Sequence, residues 1–133
     1  MRLSTRSEYA CIALIDLAER YGRGYVKTED IARRRKIPQK YLEQILHTLQ
    51  RSQHVISRRG AGGGHCLARK PEEITLAEII RQMDGALAPS KSVSKFFYEP
   101  SPVEQVKPLK RILKDIRDYI ADKLEHTTFA DLI

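Results

Sequence analysis

Two helical segments lie nearly end to end between residues 28 and 52, and the shortness of the gap between them most restricts the fold. TEDIARRRK opens on Thr28, reads as capped by it, and carries Glu29 and Asp30 in its first turn. It closes on the basic run Arg33-Arg34-Arg35-Lys36. Acid first and base last is the charge order that suits a helix dipole. Ile37 then meets Pro38, which is well placed at the first position of a new helix. From there QKYLEQILHTLQRS sets Tyr41, Leu42, Ile45, Leu46 and Leu49 at helical spacing. Two helices with so short a link have the spacing of a helix-turn-helix.

The flanking segments complete a larger pattern. Thr5-Arg6-Ser7-Glu8 has the form of a capping box. Behind it, Tyr9 to Tyr21 is apolar almost all round, interrupted by Asp16, Glu19 and Arg20. That pattern predicts a buried helix or one shared between subunits. Gly22-Arg23-Gly24 stops it, and Tyr25-Val26 reads as a short extended piece. On the other side, HVISRR and HCLARK are β-capable runs around a glycine turn, which predicts a hairpin ended by Pro71. A second capping box, Thr75 to Glu78, opens TLAEIIRQMDG, which Gly85 terminates.

Periodicity then breaks. Residues 86–103 hold Pro89, Pro100 and Pro102 among serines. From Glu104 to about His126 runs the longest predicted helix. Val106, Leu109, Leu113, Ile116 and Ile120 recur at three and four residues, with Ile112, Tyr119 and Leu124 widening the stripe. A helix this long with one apolar stripe wants a partner helix, and a dimer seam is favoured over packing on its own domain. Helix, helix-turn-helix and hairpin in that order make a winged helix. The expected fold is therefore mainly α with a small β-wing, a winged helix-turn-helix plus a long C-terminal dimerisation helix. The expected division is a DNA-binding domain over 1–83, an effector or linker loop over 84–103, and a dimerisation helix with C-terminal tail over 104–133.

Charge points to the partner. Residues 1–70 carry fifteen Lys and Arg against six Asp and Glu, whereas residues 71–133 carry nine against eleven. A basic half joined to a near-neutral half fits a polyanion-binding module followed by something else. The 133 residues suffice for one domain, or a compact domain with an appendage, and for a core without disulfides or metal. The two cysteines, Cys11 and Cys66, form no CxxC or Cys/His spacing, which argues against structural zinc. No signal-peptide pattern opens the chain, and no apolar run approaches membrane-spanning length. The expectation is a cytoplasmic protein with reduced thiols and no membrane contact. No Ser/His/Asp or paired-carboxylate arrangement falls on this plan and the four His are scattered, so an enzyme is not expected.

The major groove admits an α-helix and presents a distinct pattern for each base pair. The second helix of the pair offers Gln39, Lys40, Tyr41, Glu43 and Gln44 near its start. Gln can pair bidentately with adenine and Glu can accept from cytosine N4. Lys40 and Arg51 suit phosphate, as does Thr28 at a helix start. Against this stand packing for Tyr41 and simple solvation for Glu43; their clustering favours DNA. The run Arg33 to Lys36 reads as a solvated helix end, with one or two phosphate contacts as the sharper alternative.

The stretch RRGAGGGHCLAR, residues 58–69, is not a P-loop, which needs GxxxxGK[ST] leading into a helix. Strand-like HCLAR follows instead. Gly60, Gly62 and Gly63 therefore read as a wing tip that permits positive φ and close backbone approach to DNA. Arg58 and Arg59 alternate sides of the strand, so one of them reaches a groove. His65 and Cys66 point to opposite faces of a strand, which weakens a shared metal site. His65 is a phosphate contact or a packed side chain. Cys66 reads as buried filler and Cys11 as inert, with a redox switch at either as the minority alternative.

MRLSTRSEYA, YLEQIL, RGAGGGHCLAR, PEEITLAEII and the closing TTFADLI together resemble the Rrf-type (Rrf-two) family of bacterial transcription regulators, along essentially the whole chain. The resemblance implies a homodimeric winged helix-turn-helix protein on a roughly palindromic operator of double-stranded DNA. It implies that the helix around Tyr41, Glu43 and Gln44 reads bases and that Arg59 enters the minor groove. Many members hold an iron–sulfur cluster on three cysteines in the loop before the long helix. Here residues 84–108 contain no Cys and no His. A cluster needs thiolate ligands, so no cofactor and no metal are expected. Glu8 lies where some members supply an acidic ligand, but alone it cannot hold a cluster.

The leading expectation is a sequence-specific regulator, most often a repressor in this family. The alternative is a protein-interaction module that binds a metabolic enzyme, with DNA binding secondary. Phe96-Phe97-Tyr98 in the 84–103 loop reads first as a hydrophobic plug, and second as a contact for a small effector or a protein partner.

Overall fold

A computed structural model describes residues 2–133. The chain forms two compact units, one from residues 4–74 and 128–133, the other from residues 75–127 with the N-terminal residues up to Leu3.

The first unit carries α1 (Thr5–Glu19), α2 (Thr28–Arg35), α3 (Gln39–Arg51) and an antiparallel hairpin of β1 (Val55–Arg58) and β2 (Gly64–Leu67). This is the expected winged helix-turn-helix. Ser4 rather than Thr5 caps α1, its hydroxyl accepting from the Ser7 amide at 3.1 Å, so one side-chain cap replaces the expected box. Pro38 likewise stands at the cap of α3 rather than inside it. Lys36 takes a left-handed conformation (φ 57°) at the end of α2, which turns the chain toward α3 within three residues.

Burial follows the apolar spacing. Ala10, Ala13, Leu14 and Leu17 of α1 pack with Ile31 of α2 and with Leu42, Ile45, Leu46 and Leu49 of α3. Burying one such side chain stabilises by about 1.5–3 kcal/mol. Val55 and Leu67, paired across the hairpin, add the wing's root to this core. The C-terminal segment returns here: Phe129 is fully buried and its amide donates to the Ile74 carbonyl at 3.0 Å.

The second unit pairs α4 (Leu76–Asp84) with α5 (Lys107–Glu125). The Thr75–Glu78 capping box forms as expected, and Gly85 ends α4 at φ 89°. Ile79, Ile80 and Met83 of α4 are buried, as are Leu87 and Val93 of the loop and Ala121 of α5. Arg81 of α4 pairs with Glu125 of α5, and Arg117 of α5 donates to the Val93 carbonyl at 2.9 Å. These contacts explain why α4 groups with α5, so that the first division falls after Ile74 rather than after residue 83. The last helix begins at Lys107 rather than Glu104, because Pro102–Gln105 forms a separate 3₁₀ turn.

Candidate nucleic-acid interface

Helix α3 is two-sided. Leu42, Ile45, Leu46 and Leu49 face the core, and Lys40, Glu43, Gln44, His47 and Arg51 face solvent. Gln39 is also exposed, with its amide nitrogen 3.5 Å from the Glu43 carboxylate. Tyr41 has a double role: its ring meets Tyr9 of α1 edge-on, centroids 5.5 Å apart at 88°, while 38% of it stays exposed. His47 shares the solvent face with Lys40, Gln44 and Arg51. Sequence reading passed over it, although its spacing of three from Gln44 and four from Glu43 places it there.

The helix in front is fixed by a buried carboxylate. Asp16 is fully buried in α1 and accepts from Arg34 at 2.8 and 3.2 Å, from Arg35 at 2.9 Å and from Arg20 at 3.2 Å. Glu19 takes a second bond from Arg35 at 2.6 Å. Burial by itself raises the Asp16 carboxyl, but the hydrogen bonds and charges of these arginines outweigh it and hold the group below the usual carboxylate range. Half of the basic run is therefore committed to ion pairs within the chain. Arg34 and Arg35 tie α2 to α1, while Arg33 pairs at the surface with Asp30. The signal for this was Asp16 itself, a carboxylate set among the apolar residues of α1.

The wing tip is a tight turn, with the Gly63 amide donating to the Gly60 carbonyl at 3.0 Å. Gly60 needs its positive φ of 98°. Gly63 is buried, and a Cβ there would lie 2.0 Å from the Arg58 carbonyl oxygen. A Cβ on Gly64 would lie 2.4 Å from the Val26 carbonyl oxygen. The close approach that glycine permits is thus made to the chain's own backbone at these two positions.

The two arginines at the hairpin differ. The Arg58 guanidinium lies over the Tyr25 ring, 5.8 Å from its centroid. Arg59 follows the end of β1 and is exposed.

His65 is a fastening. Its Nε2 lies 2.8 Å from the Thr28 hydroxyl and its Nδ1 2.7 Å from the Ser57 hydroxyl. Val26 and His65 also exchange backbone hydrogen bonds at 2.8 and 2.7 Å. Both ring nitrogens are engaged inside the chain, so the ring links the wing to the start of α2. Thr28 is the first helical residue of α2, Lys27 stands at the cap position without a side-chain cap bond, and the Thr28 hydroxyl serves this link in place of the expected cap. Burial pushes the His65 imidazole below its ordinary value, with Glu29 opposing the shift.

Among the described residues Cys11 and Cys66 form no disulfide, and both are half-buried rather than fully buried, on α1 and β2. Burial raises the Cys66 thiol. Among the described residues no three His, Cys, Asp or Glu side chains come together as a metal site.

In the second unit, α5 buries only Ala121. The expected seam residues Val106, Leu109 and Ile116 are exposed, while Leu113 and Ile120 are half-buried. Ile112 and Tyr119 are 57% and 75% exposed. The Phe96-Phe97-Tyr98 run is not a plug: all three are exposed. Phe96 lies under the Arg81 guanidinium at 4.8 Å, and the Tyr98 hydroxyl donates to Glu104.

The family model named Rrf2 and described as an iron-dependent transcriptional regulator matches residues 3–133. The HTH-type transcriptional regulator CymR of Bacillus subtilis is 34% identical over 133 residues, covering 99% of this chain and 89% of that protein. The solved structure of the same regulator, titled the global cysteine regulator of B. subtilis, superposes with a TM-score of 0.81 at 30% identity, covering 99% of this chain and 95% of that one. The structure of IscR from T. potens gives a TM-score of 0.71 at 32% identity, covering 99% and 85%.

Proposed function

The chain belongs to the Rrf2 family of DNA-binding transcriptional regulators, and from that premise we propose that it is a homodimeric repressor that reads a palindromic operator. The observation that carries this reading is the outward face of α3. Lys40, Glu43, Gln44 and Arg51 all reach solvent from a helix whose other face is locked into the core. Glu43 and Gln44 have the donor and acceptor groups for base edges, and Lys40 and Arg51 the charge for phosphates.

The wing supplies the second contact. Arg59 is the arginine that enters the minor groove, since Arg58 rests on Tyr25. Gly60 shapes the tip beside it through its positive φ, while Gly62 is open to solvent there. Thr28 and His65 act from behind, by holding the wing, and Gly63 by letting the hairpin close.

The exposed apolar residues of α5 supply the dimer contact: Val106, Leu109 and Ile116, with Leu113 and Ile120 beside them. A twofold dimer presents two recognition helices to two half-sites, which matches a palindrome. The regulator works without an iron–sulfur cluster. Its two cysteines sit on separate elements and residues 84–108 offer neither Cys nor His, so the donor set does not fit a group held by thiolates.

Selection of bound duplexes from a random pool tests the reading. The expected product is a motif with twofold symmetry and two half-sites about one helical turn apart or a multiple of it. A pool without any enriched motif would contradict it. The similarity to the B. subtilis cysteine regulator makes promoters of cysteine metabolism the first genomic targets to examine.

The exposed Phe96, Phe97 and Tyr98 favour a second reading of the 84–103 loop as the contact for a protein partner, such as a metabolic enzyme, or for a small effector. Retention of a cellular enzyme by the wild-type chain but not by a variant lacking these aromatics is its test.

A further inference from the structure

We propose that the DNA-facing surface extends from α3 onto the first turn of α1, where Arg6 contacts a backbone phosphate while tethered to the recognition helix. The inference rests on the reading that α3 binds duplex DNA.

Arg6 is exposed, and its Nη2 donates to the Thr48 hydroxyl of α3 at 3.1 Å. Thr48 donates in turn to the Gln44 carbonyl at 3.1 Å. Three residues along α1 from Arg6, Tyr9 stands edge-on to Tyr41. Tyr41, Gln44 and Thr48 are spaced by three and four and form one ridge of α3. Arg6 and Tyr9 flank that ridge from α1, so Arg6 sits beside Gln44, a residue assigned to base reading.

The contrast with the other arginines sharpens the assignment. Arg34 and Arg35 are held in ion pairs with Asp16 and Glu19, and Arg33 in one with Asp30. Arg6 bonds a neutral hydroxyl and forms no ion pair among the described residues. Its positive charge therefore stays available at the edge of the reading helix. A guanidinium has five N–H donors in a planar fork that matches phosphate, and only one of them is directed at Thr48. The tether also restricts the side chain before DNA arrives, which lowers the ordering cost of the contact.

Anisotropy titration of the full chain on a duplex selected by the wild type, repeated across salt concentrations, is the test. Each phosphate contact contributes about 0.9 to the slope of log affinity against log salt. Arg6→Ala and Arg6→Gln should both lower that slope by about 1.8, one contact being lost from each protomer of the dimer, and both should weaken the selected and a scrambled duplex by the same factor. Wild-type affinity and slope in both variants would overturn the proposal. So would a loss in Arg6→Ala that Arg6→Gln restores, because glutamine can still bond Thr48 but carries no charge. If the wild type binds no duplex, the underlying reading fails, and the proposal with it.

Discussion

The imidazole of His65 stands 2.8 Å from the Thr28 hydroxyl, so one ring fastens the β-wing to the first helix of the helix-turn-helix. The same ring reaches Ser57 on the neighbouring strand. A wing held this way keeps Arg59 in register with α3, and the hydrogen bonds that do so are internal. His65→Ala should leave two part-buried hydroxyls without their partner, at about 1–3 kcal/mol for such a group. Hydrogen exchange at the Val26 and His65 amides should accelerate while α1 amides stay protected. Unchanged exchange at Val26 would show that the backbone bridge holds the wing alone.

The same histidine gives stability a pH dependence. Its folded-state value is lowered from 6.5, chiefly by burial. The unfolded chain therefore takes up the proton first as pH falls, and stability drops as pH passes below about 6.5. Thermal melts of wild type and His65→Gln between pH 8 and pH 5 should show a decline in the wild type that the variant lacks. Parallel curves would contradict this.

Asp16 acts in a different window. Its carboxyl is depressed below 3.8 in the folded state, so its contribution is complete above the ordinary carboxylate range and is lost as pH falls through the lowered value. Asp16→Asn leaves Arg34 and Arg35 facing a neutral amide in a buried place. Breaking one side of a buried pair costs about 3–5 kcal/mol, and the exposure of the arginines places this case at the lower end. Denaturant titration near pH 7 should show that loss. It should shrink as pH falls below about 3.8, where the unfolded wild type takes up the proton first and the folded carboxyl follows at its lowered value.

The glycines of the wing separate by geometry. Gly63→Ala drives a methyl into the Arg58 carbonyl, and Gly60→Ala forces φ 98° on an alanine, whereas Gly62→Ala meets nothing within 4 Å. Strained conformations of this kind cost about 1–3 kcal/mol each. The first two variants should lose DNA affinity with helical circular dichroism intact, and Gly62→Ala should bind like wild type. A loss in all three would assign the effect to something other than backbone fit.

The apolar face of α5 should hold a second copy of the chain. Ile116→Glu places a charge in that seam and should shift sedimentation from dimer to monomer while the first unit keeps its melting transition. A monomeric wild type would rule out the seam.

Much of this architecture is visible in the residues, and the exceptions have physical reasons. The Ile37-Pro38 break, the Thr75–Glu78 box and Gly85 are local signals, and each marks a boundary where the chain places one. The roles of Thr28, His65 and Gly63 depend on residues 37, 37 and 5 positions away, and no local rule reports such partners. The division after Ile74 was hidden for the same reason, because it follows from α4 meeting α5. Arg34 and Arg35 resembled a solvated helix end, and only the depth of Asp16 reveals their use.

Helix α3 is expected to read base sequence through Glu43 and Gln44. The most direct test is competition between the selected operator and a scrambled duplex at fixed salt, for wild type and Gln44→Ala. The wild type should prefer its operator by about 10³-fold or more. Gln44→Ala should lose about 1–3 kcal/mol of discrimination at one base pair in each half-site while keeping its affinity for the scrambled duplex. Equal affinity of the wild type for both duplexes would contradict the account.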